Sequence, residues 1–434
     1  MSVDWLAMPG RPLRGSLRVP GDKSVSHRAL MLGAIADGIT RIDGFLEGAD
    51  TLATAHILGQ LGVRVDALSA GVRLVHGVGL HGLRAPTEAL DCGNAGTGMR
   101  LLAGLLAGQG FESCLFGDAS LNKRPMGRVI EPLGRMGARI ESGQGGVPPL
   151  RIQANNSLQA IDFTASVASA QVKSALLLAG LYAAGATTVR EPQPTRDYTE
   201  RMLAAFGYPI EFEPGCVRLE GGHRLEGTSV SIPADFSSAA FFLVAASLVP
   251  GSDLRLEAVG INPRRTGLLE ALRRMGADIE VQARRESAGE SVADLRVRHA
   301  RLRGIELPAA IAPDMIDEFP ILFVAAALAD GESRFEGLAE LRVKESDRLE
   351  GMSDALRALG ARVETGPDWA RIQGGPLTSA SVDSRGDHRL AMALCVAAQR
   401  ADGPVRIADC ANVDTSFPGF AGMAAGVGFG LEPA

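Results

Sequence analysis

The chain lacks any cysteine pattern that could organise it. Its five cysteines, Cys92, Cys114, Cys216, Cys395 and Cys410, stand at wide and irregular spacings. None resembles a zinc or redox motif, so free thiols in a reducing compartment are the expectation. There is no basic surplus either. Lys and Arg number 44 against 50 Asp and Glu, a formal charge of −6, which argues against nucleic acid as a partner. Long apolar runs are also missing. The stretches 171–186 and 237–249 are interrupted by polar residues or glycine and fall short of the ~20 apolar residues of a membrane span. The opening residues, Met1-Ser-Val-Asp-Trp5, show no basic segment followed by an apolar one, so no secretory signal is expected and the expected location is the cytoplasm. What is left is a soluble globular composition, 46% hydrophobic and 22% charged. At 434 residues the chain is too long for one ordinary core, and two domains of about 200 residues each are expected.

Internal repetition is what the sequence does have. A helix-ending phrase of apolar residue, glycine, spacer and β-branched residue recurs as Leu61-Gly-Val-Arg-Val65, Met136-Gly-Ala-Arg-Ile140, Phe206-Gly-Tyr-Pro-Ile210, Met275-Gly-Ala-Asp-Ile279 and Leu359-Gly-Ala-Arg-Val363. Glycine stands where a left-handed helix cap belongs, and a strand is expected to follow. Alternating with these are runs rich in Ala, Leu and Gly at 27–37, 98–108, 171–184, 237–249, 319–329 and 388–400. Such helices are apolar nearly all round and are expected in the interior, with the charged helices facing solvent. The pattern gives six units of about 70 residues, each strand, buried helix, strand, amphipathic helix, strand, strand. A long doubly wound sheet would also alternate helices and strands, but it does not predict two helix types alternating. The expected architecture is α/β, with three units per lobe, sheets outside and buried helices inside.

Polar residues gather at the starts of the buried helices: Asp22-Lys-Ser-Val-Ser-His-Arg28, Asn94-Ala-Gly-Thr-Gly-Met-Arg100, Ser166-Val-Ala-Ser-Ala-Gln171, Asp235-Phe-Ser-Ser238, Asp314-Met-Ile-Asp-Glu318 and Gly386-Asp-His-Arg389. Helix capping explains the Ser, Asn and Asp residues. It does not explain Lys23, Arg28, Arg100 and Arg389, whose charge in a first turn opposes the helix dipole and needs a negative partner. If the buried helices of a lobe run parallel, their N-termini open on one face, and added cations make it an anion site. Small residues at Asn94-Ala-Gly96 let an anion approach the backbone. Facing lobes would clamp a multiply charged ligand. Two clusters lie elsewhere. Lys123 and Arg124 are expected just before a proline-initiated helix, and Leu341-Arg-Val-Lys-Glu-Ser-Asp-Arg348 is a dense charge run. That run reads equally as a solvated face or, beside Asp314, as carboxylates and cations placed for proton transfer.

Lys23-Ser-x-Ser-His-Arg28, Asn94-Ala-Gly-Thr-x-x-Arg100, Lys123-Arg-Pro125, Arg342-Val-Lys-Glu-Ser-Asp-Arg348, Asp387-His-Arg389 and Ser416-Phe-Pro418 together resemble the motifs of the EPSP synthase family, in that family's order and over about residues 12 to 420. The resemblance implies a two-lobed inverse α/β architecture, each lobe of three βαβαββ units with buried parallel helices. It implies that the chain crosses between lobes twice, so that residues 1–20 join 234–434 and residues 21–233 form the other lobe. It implies transfer of the enolpyruvyl group of phosphoenolpyruvate to the 5-hydroxyl of shikimate 3-phosphate in aromatic amino-acid biosynthesis, with no metal or organic cofactor. The partners are then the two small substrates, with no nucleic acid or membrane, and a monomer is expected.

Carried over by motif, the resemblance implies that Lys23, Ser24, Arg28, Ser169, Ala170, Gln171, Asp314 and Lys344 bind shikimate 3-phosphate. Lys23, Gly96, Arg124, Gln171, Arg348 and Arg389 would hold phosphoenolpyruvate. Asp314 is the expected base for the 5-hydroxyl and Glu345 the acid for the methylene carbon, with Lys23 assisting at the departing phosphate. Ala170, Arg196 and Thr415 follow one branch of the family where another has serine, tyrosine and lysine, and Arg196 is expected to touch shikimate 3-phosphate. Glycine at Gly96 leaves room for glyphosate, the inhibitor that targets this family. The nearest rival is UDP-N-acetylglucosamine enolpyruvyl transferase, whose reactive cysteine lies in a loop before an Arg-Pro pair. Cys114 precedes Arg124-Pro125, but it sits in Ser113-Cys-Leu-Phe116, which reads as a strand. A non-catalytic anion-binding repeat protein is the other rival, and it has no need of the Asp314 and Glu345 pair.

Overall fold

Ala, Leu and Gly in series make a helix with almost no polar surface, so such a helix must be covered on every side. The computed structural model describes residues 3–287 and 289–433, and among them lie twelve α-helices. These are α1 (Lys23–Ile35), α2 (Ala49–Gln60), α3 (Gly96–Ala107), α4 (Gly127–Arg135), α5 (Ala170–Gly180), α6 (Tyr198–Ala205), α7 (Phe236–Leu248), α8 (Gly267–Arg274), α9 (Phe319–Ala327), α10 (Arg348–Ala358), α11 (His388–Ala398) and α12 (Phe420–Val427). The odd-numbered helices are the Ala/Leu/Gly runs, and α7, α9 and α11 are buried along their entire length. The even-numbered helices keep a wet face, as Glu270, Arg273 and Arg274 do on α8.

The glycine phrases end the even-numbered helices as expected. Gly62, Gly137, Gly207, Gly276 and Gly360 all have φ between +75° and +93°, a region open to glycine without penalty. The sixth helix of this type, α12, closes on Gly428 with φ +121°. Its continuation, Phe429-Gly430, has no β-branched residue, which is why the phrase shows only five times in the sequence.

The strands form six four-stranded sheets among the described residues. The strands flanking a buried helix pair in parallel, and the last strand of the unit lies antiparallel between the second and third. Around α3, Leu90–Asp91 pairs in parallel with Ser113–Phe116, and Val147–Ile152 is antiparallel to both Ser113–Phe116 and Ile140–Gly143. Burial alternates along Val147–Ile152 and Asp253–Gly260, so each sheet turns one face to the helices and one to solvent. Three sheets complete themselves with strands from elsewhere. Ser229–Ser231 joins Asp37–Asp43 beside α1. Near the N-terminus, β1 (Trp5–Met8) lies between Val405–Ala408 and Gly430–Pro433, and β2 (Arg14–Leu17) pairs with Asp253–Gly260.

Packing divides the chain into two compact units. One comprises Met1–Pro20, Ala234–Arg285 and Ser291–Ala434; the other comprises Gly21–Pro233 with Glu286–Glu290. They are called the α7–α12 unit and the α1–α6 unit below. Within the first, α7, α9 and α11 pack on one another; within the second, α3 packs against α1 and α5. Each unit has its own hydrophobic core. No helix among the described residues is long and apolar enough to cross a membrane.

Candidate active site

Capping accounts for four of the buried helix starts. Asp22 accepts from the Val25 N–H, Ser169 from Val172, Asp235 from Ser237 and Asp387 from Arg389. The helix α3 begins instead after Ala95 with no capping side chain, and its first N–H, that of Gly96, donates to the Asn94 carbonyl at 2.8 Å. Because Asp22 caps α1, that helix starts at Lys23, before its apolar run. Lys23 and Arg389 therefore lie in first turns, whereas Arg28 and Arg100 lie one turn further along than the sequence suggests. Pro125 also stands outside α4, which begins at Gly127, and Lys123 ends a short 3₁₀ turn from Leu121.

In the α1–α6 unit the cations converge. The Lys23 ammonium meets the Asp50 carboxylate at 2.7 Å. Arg28 is buried and donates from Nε to Thr199 Oγ1 at 2.7 Å, from Nη2 to Ser174 Oγ at 2.7 Å and from Nη1 to the Ser24 carbonyl at 2.9 Å. Burial draws the Arg28 pKa down to about 10; Glu200 opposes the shift and the charge of Arg196 adds to it. Two arginines acting on each other in this way are a place for an anion. Beside them, Arg100 Nη1 donates to Gln171 Oε1 at 2.5 Å, and Gln171 Nε2 to Thr97 Oγ1 at 2.8 Å. Arg124 Nη2 donates to Asn94 Oδ1 at 2.6 Å. A Cβ on Gly96 would stand 2.8 Å from Arg124 Nη1, so the absent side chain is what lets that guanidinium lie over the start of α3.

In the α7–α12 unit the helix starts are tied by ion pairs. Arg348, 1% exposed, opens α10 and meets Asp387 at 2.8 Å, Asp317 at 3.2 Å and Glu345 at 2.5 Å. Burial works against its charge, but Asp387, Glu345 and Asp317 outweigh it and raise its pKa. Burial also opposes the Asp387 carboxylate, yet Arg348 and His388 hold its pKa below the ordinary value. Lys344 reaches Asp317 at 3.4 Å. Arg389 donates to the Asp317 carbonyl at 3.1 Å and meets Glu318 at 3.5 Å. Arg265 meets Glu318 at 3.3 Å and Asp235 at 3.5 Å, and it also binds the Ser237 hydroxyl. Residues at the starts of α7, α9 and α11 thus share one cluster, so these three helices point the same end toward it. Asp314 closes a 3₁₀ turn ahead of α9 and pairs with Arg264 at 3.4 Å.

The expected residues therefore fall into two groups. Lys23, Ser24, Arg28, Gly96, Arg124, Ser169, Ala170, Gln171 and Arg196 belong to one unit, and Asp314, Lys344, Glu345, Arg348 and Arg389 to the other. Arg264, Arg265, Asp317, Glu318 and Asp50 were not singled out from the sequence. Asp317 and Glu318 lie in the run Asp314-Met-Ile-Asp-Glu318, but their partners lie far away in the chain, and no local spacing announces them. Among the described residues no group of three or more His, Cys, Asp and Glu side chains is arranged to hold a metal ion.

A family model described as EPSP synthase (3-phosphoshikimate 1-carboxyvinyltransferase) matches residues 7–423. The chain belongs to the EPSP synthase family. It is an enzyme, a transferase. A 3-phosphoshikimate 1-carboxyvinyltransferase of Xanthomonas euvesicatoria pv. vesicatoria is 63% identical over 430 residues, 99% of this chain and 98% of that one. One from Xanthomonas campestris pv. campestris is 63% identical over 428 residues, again 99% and 98%. Among solved structures, an EPSP synthase from Acinetobacter baumannii superposes with a TM-score of 0.90 at 47% identity, covering 100% of both chains. The enolpyruvyl transferase NikO of Streptomyces tendae, at 19% identity and a TM-score of 0.79 over 100% and 99% of the two chains, shares the fold. The inverse α/β enolpyruvyl transferase fold expected from the sequence is the fold observed.

Family motifs also include residues that build the fold. Phe417 of Ser416-Phe-Pro418 is fully buried and packs within 6.1 Å of Phe242 and 5.2 Å of Phe420. Cys114 lies in the strand Ser113–Phe116, opposite Arg151, and not in a loop as the rival transferase requires.

Proposed function

We propose that this protein transfers the enolpyruvyl group of phosphoenolpyruvate to the 5-hydroxyl of shikimate 3-phosphate, giving 5-enolpyruvylshikimate 3-phosphate and phosphate. The observation that carries the reading is the family match over residues 7–423. The clustered cations at helix starts support it, since guanidinium forks and helix N-termini suit phosphate and carboxylate.

In this reading shikimate 3-phosphate is bound by Lys23, Ser24, Arg28, Ser169, Ala170, Gln171, Arg196, Asp314 and Lys344. Phosphoenolpyruvate is bound by Lys23, the Gly96 backbone, Arg124, Gln171, Arg348 and Arg389. Asp314 takes the proton of the 5-hydroxyl as its oxygen bonds to C2 of phosphoenolpyruvate, while Glu345 gives a proton to the methylene carbon. The C2–O bond to phosphate then breaks, the Glu345 carboxylate takes a proton back from the new methyl group to restore the double bond, and Lys23 offsets the charge on the departing phosphate. Arg348 against Glu345 at 2.5 Å favours the ionised carboxylate before substrates bind. A bound carboxylate at Arg348 competes for that guanidinium and so eases protonation of Glu345.

The test is phosphate release with both substrates under reducing conditions. Release that needs both substrates is expected, and none with both present sinks the assignment. Asp314→Ala and Glu345→Ala are each expected to lower turnover by about a hundredfold or more, the contribution of a positioned acid or base. Near-native turnover removes that residue from the mechanism. Alkylation of Cys114 is expected to leave activity in place.

A further inference from the structure

The α1–α6 unit buries an ion triad that none of these steps uses. Lys173 on α5 meets Glu191 at 2.7 Å and Glu200 on α6 at 2.8 Å, with side chains 5%, 1% and 3% exposed. Burial works against the Lys173 charge, but the two carboxylates prevail and its pKa is raised. A buried ion cluster is weak as a stability device, since apolar residues of similar volume often serve as well. What distinguishes this one is what it is attached to.

Glu191 also accepts from the Thr195 N–H at 3.2 Å and from the Thr195 hydroxyl. That closes into a turn the segment leading to Arg196. Ser174, next to Lys173, and Thr199, next to Glu200, are the two hydroxyls that receive Arg28, and they are hydrogen-bonded to each other at 2.7 Å. The triad therefore joins α5, α6 and the 191–195 turn at one point, and each of the three carries or contacts one of two neighbouring arginines. Glu200 acts directly on the Arg28 charge, against the effect of Arg196.

We infer that Lys173, Glu191 and Glu200 are positioning residues that set the spacing of Arg28 and Arg196, the pair that receives the anionic co-substrate. The inference rests on the proposed function, in which those two arginines bind shikimate 3-phosphate. Two like charges repel until the anion arrives, so an external brace is needed to keep both aimed at it; the braced pair binds without reorganising.

Glu191→Gln and Glu200→Gln conserve volume and each remove one charge. Phosphate release is measured with each substrate varied in turn, beside thermal unfolding. The KM for shikimate 3-phosphate is expected to rise about tenfold in both variants, the size of one lost charge-assisted contact. The KM for phosphoenolpyruvate and kcat are expected to change less than about twofold. A lower melting temperature with both KM values unchanged means a structural role only and overturns the inference. Thr195→Val, which removes only the hydroxyl bonded to Glu191, covers a charge variant that does not fold. It is expected to raise the same KM about threefold, and an unchanged KM overturns the inference again. Wild-type turnover separates the two readings. No phosphate release by the wild type sinks the proposed function and this inference with it, whereas normal release with unaffected variants sinks the inference alone.

Discussion

In the α1–α6 unit Arg28 gives its hydrogen bonds to two hydroxyls and a carbonyl, whereas in the α7–α12 unit Arg348 faces three carboxylates. Both arginines are buried and both sit near helix starts, yet their surroundings do different things. Neutral acceptors orient a guanidinium without pairing it directly to a carboxylate, so more of its field remains available to a ligand. Carboxylates cancel the charge locally and place acids and bases beside it. In the proposed reaction the first arrangement receives an anion. The second would supply the carboxylates for proton transfer, Glu345 among them. Lys23 against Asp50 and Lys173 against Glu191 and Glu200 are points at which the first unit borrows the device of the second.

Removing each arginine tests that contrast. Arg348→Met leaves three carboxylates facing one another in the interior and is expected to lower unfolding stability by about 3–5 kcal/mol. Arg28→Met leaves hydroxyls that can bond to each other and is expected to cost less than about 2 kcal/mol. Urea titrations of both variants measure this, and equal losses break the comparison. A smaller effect is expected for Gly96→Ala. Its Cβ crowds the end of the flexible Arg124 side chain, at 2.8 Å, and meets Leu121 and Arg100 at ordinary contact distances of 3.5 and 3.9 Å, so the fold stays intact while that guanidinium shifts. The KM for phosphoenolpyruvate is expected to rise about tenfold, with that for shikimate 3-phosphate near native, as a misplaced positioning group requires. Equal changes in both KM values would take Arg124 off phosphoenolpyruvate.

A further effect appears only in acid. His27 is buried on α1, with Nδ1 on Thr54 Oγ1 at 2.8 Å, and burial followed by the charges of Lys23 and Arg28 pulls its pKa from 6.5 to about 3. Its folded pKa lies below the unfolded one, so its contribution to stability is complete above pH 6.5 and drains as pH falls toward 3. Asp387 is likewise depressed, from 3.8, so its contribution is complete above that value and is lost only below it. His27 and Asp387 therefore contribute to stability in different pH windows. Between pH 6 and 4 the native protein is expected to lose up to about 1.4 kcal/mol per pH unit more than His27→Gln. Parallel stability curves for the two proteins would refute a neutral buried ring.

Much of the fold was legible because apolar composition and glycine caps are local signals. The run read at 237–249 is the helix Phe236–Leu248, and that at 388–400 is His388–Ala398. The run read from residue 27 begins at Lys23, because a polar first turn hid the helix start behind its cap. The cations of the candidate site were legible for a related reason: charge beside an apolar helix start is locally anomalous. Their protein partners were not. Lys23 finds Asp50 twenty-seven residues away, and Arg265 finds Ser237 twenty-eight residues away. Nothing in the sequence around Lys173 marks it out from the rest of a buried helix, since Glu191 and Glu200 reach it from other segments. Pairing between the elements of a repeat is set by how its helices pack, and no short spacing in the chain encodes it.

The strand β1 is an interior member of its sheet, with Trp5 paired to Ile407 on one side and Pro433 on the other and stacked 5.6 Å from Phe420. During synthesis β1 emerges well before either of its neighbours. The α1–α6 unit can close its sheets once Ser229–Ser231 has emerged, and β2 finds Asp253–Gly260 soon afterwards, while β1 waits unpaired for Val405–Ala408 and Gly430–Pro433. It is thus among the last strands to become native. A nascent chain halted before residue 405 holds a finished α1–α6 unit and an unpaired β1.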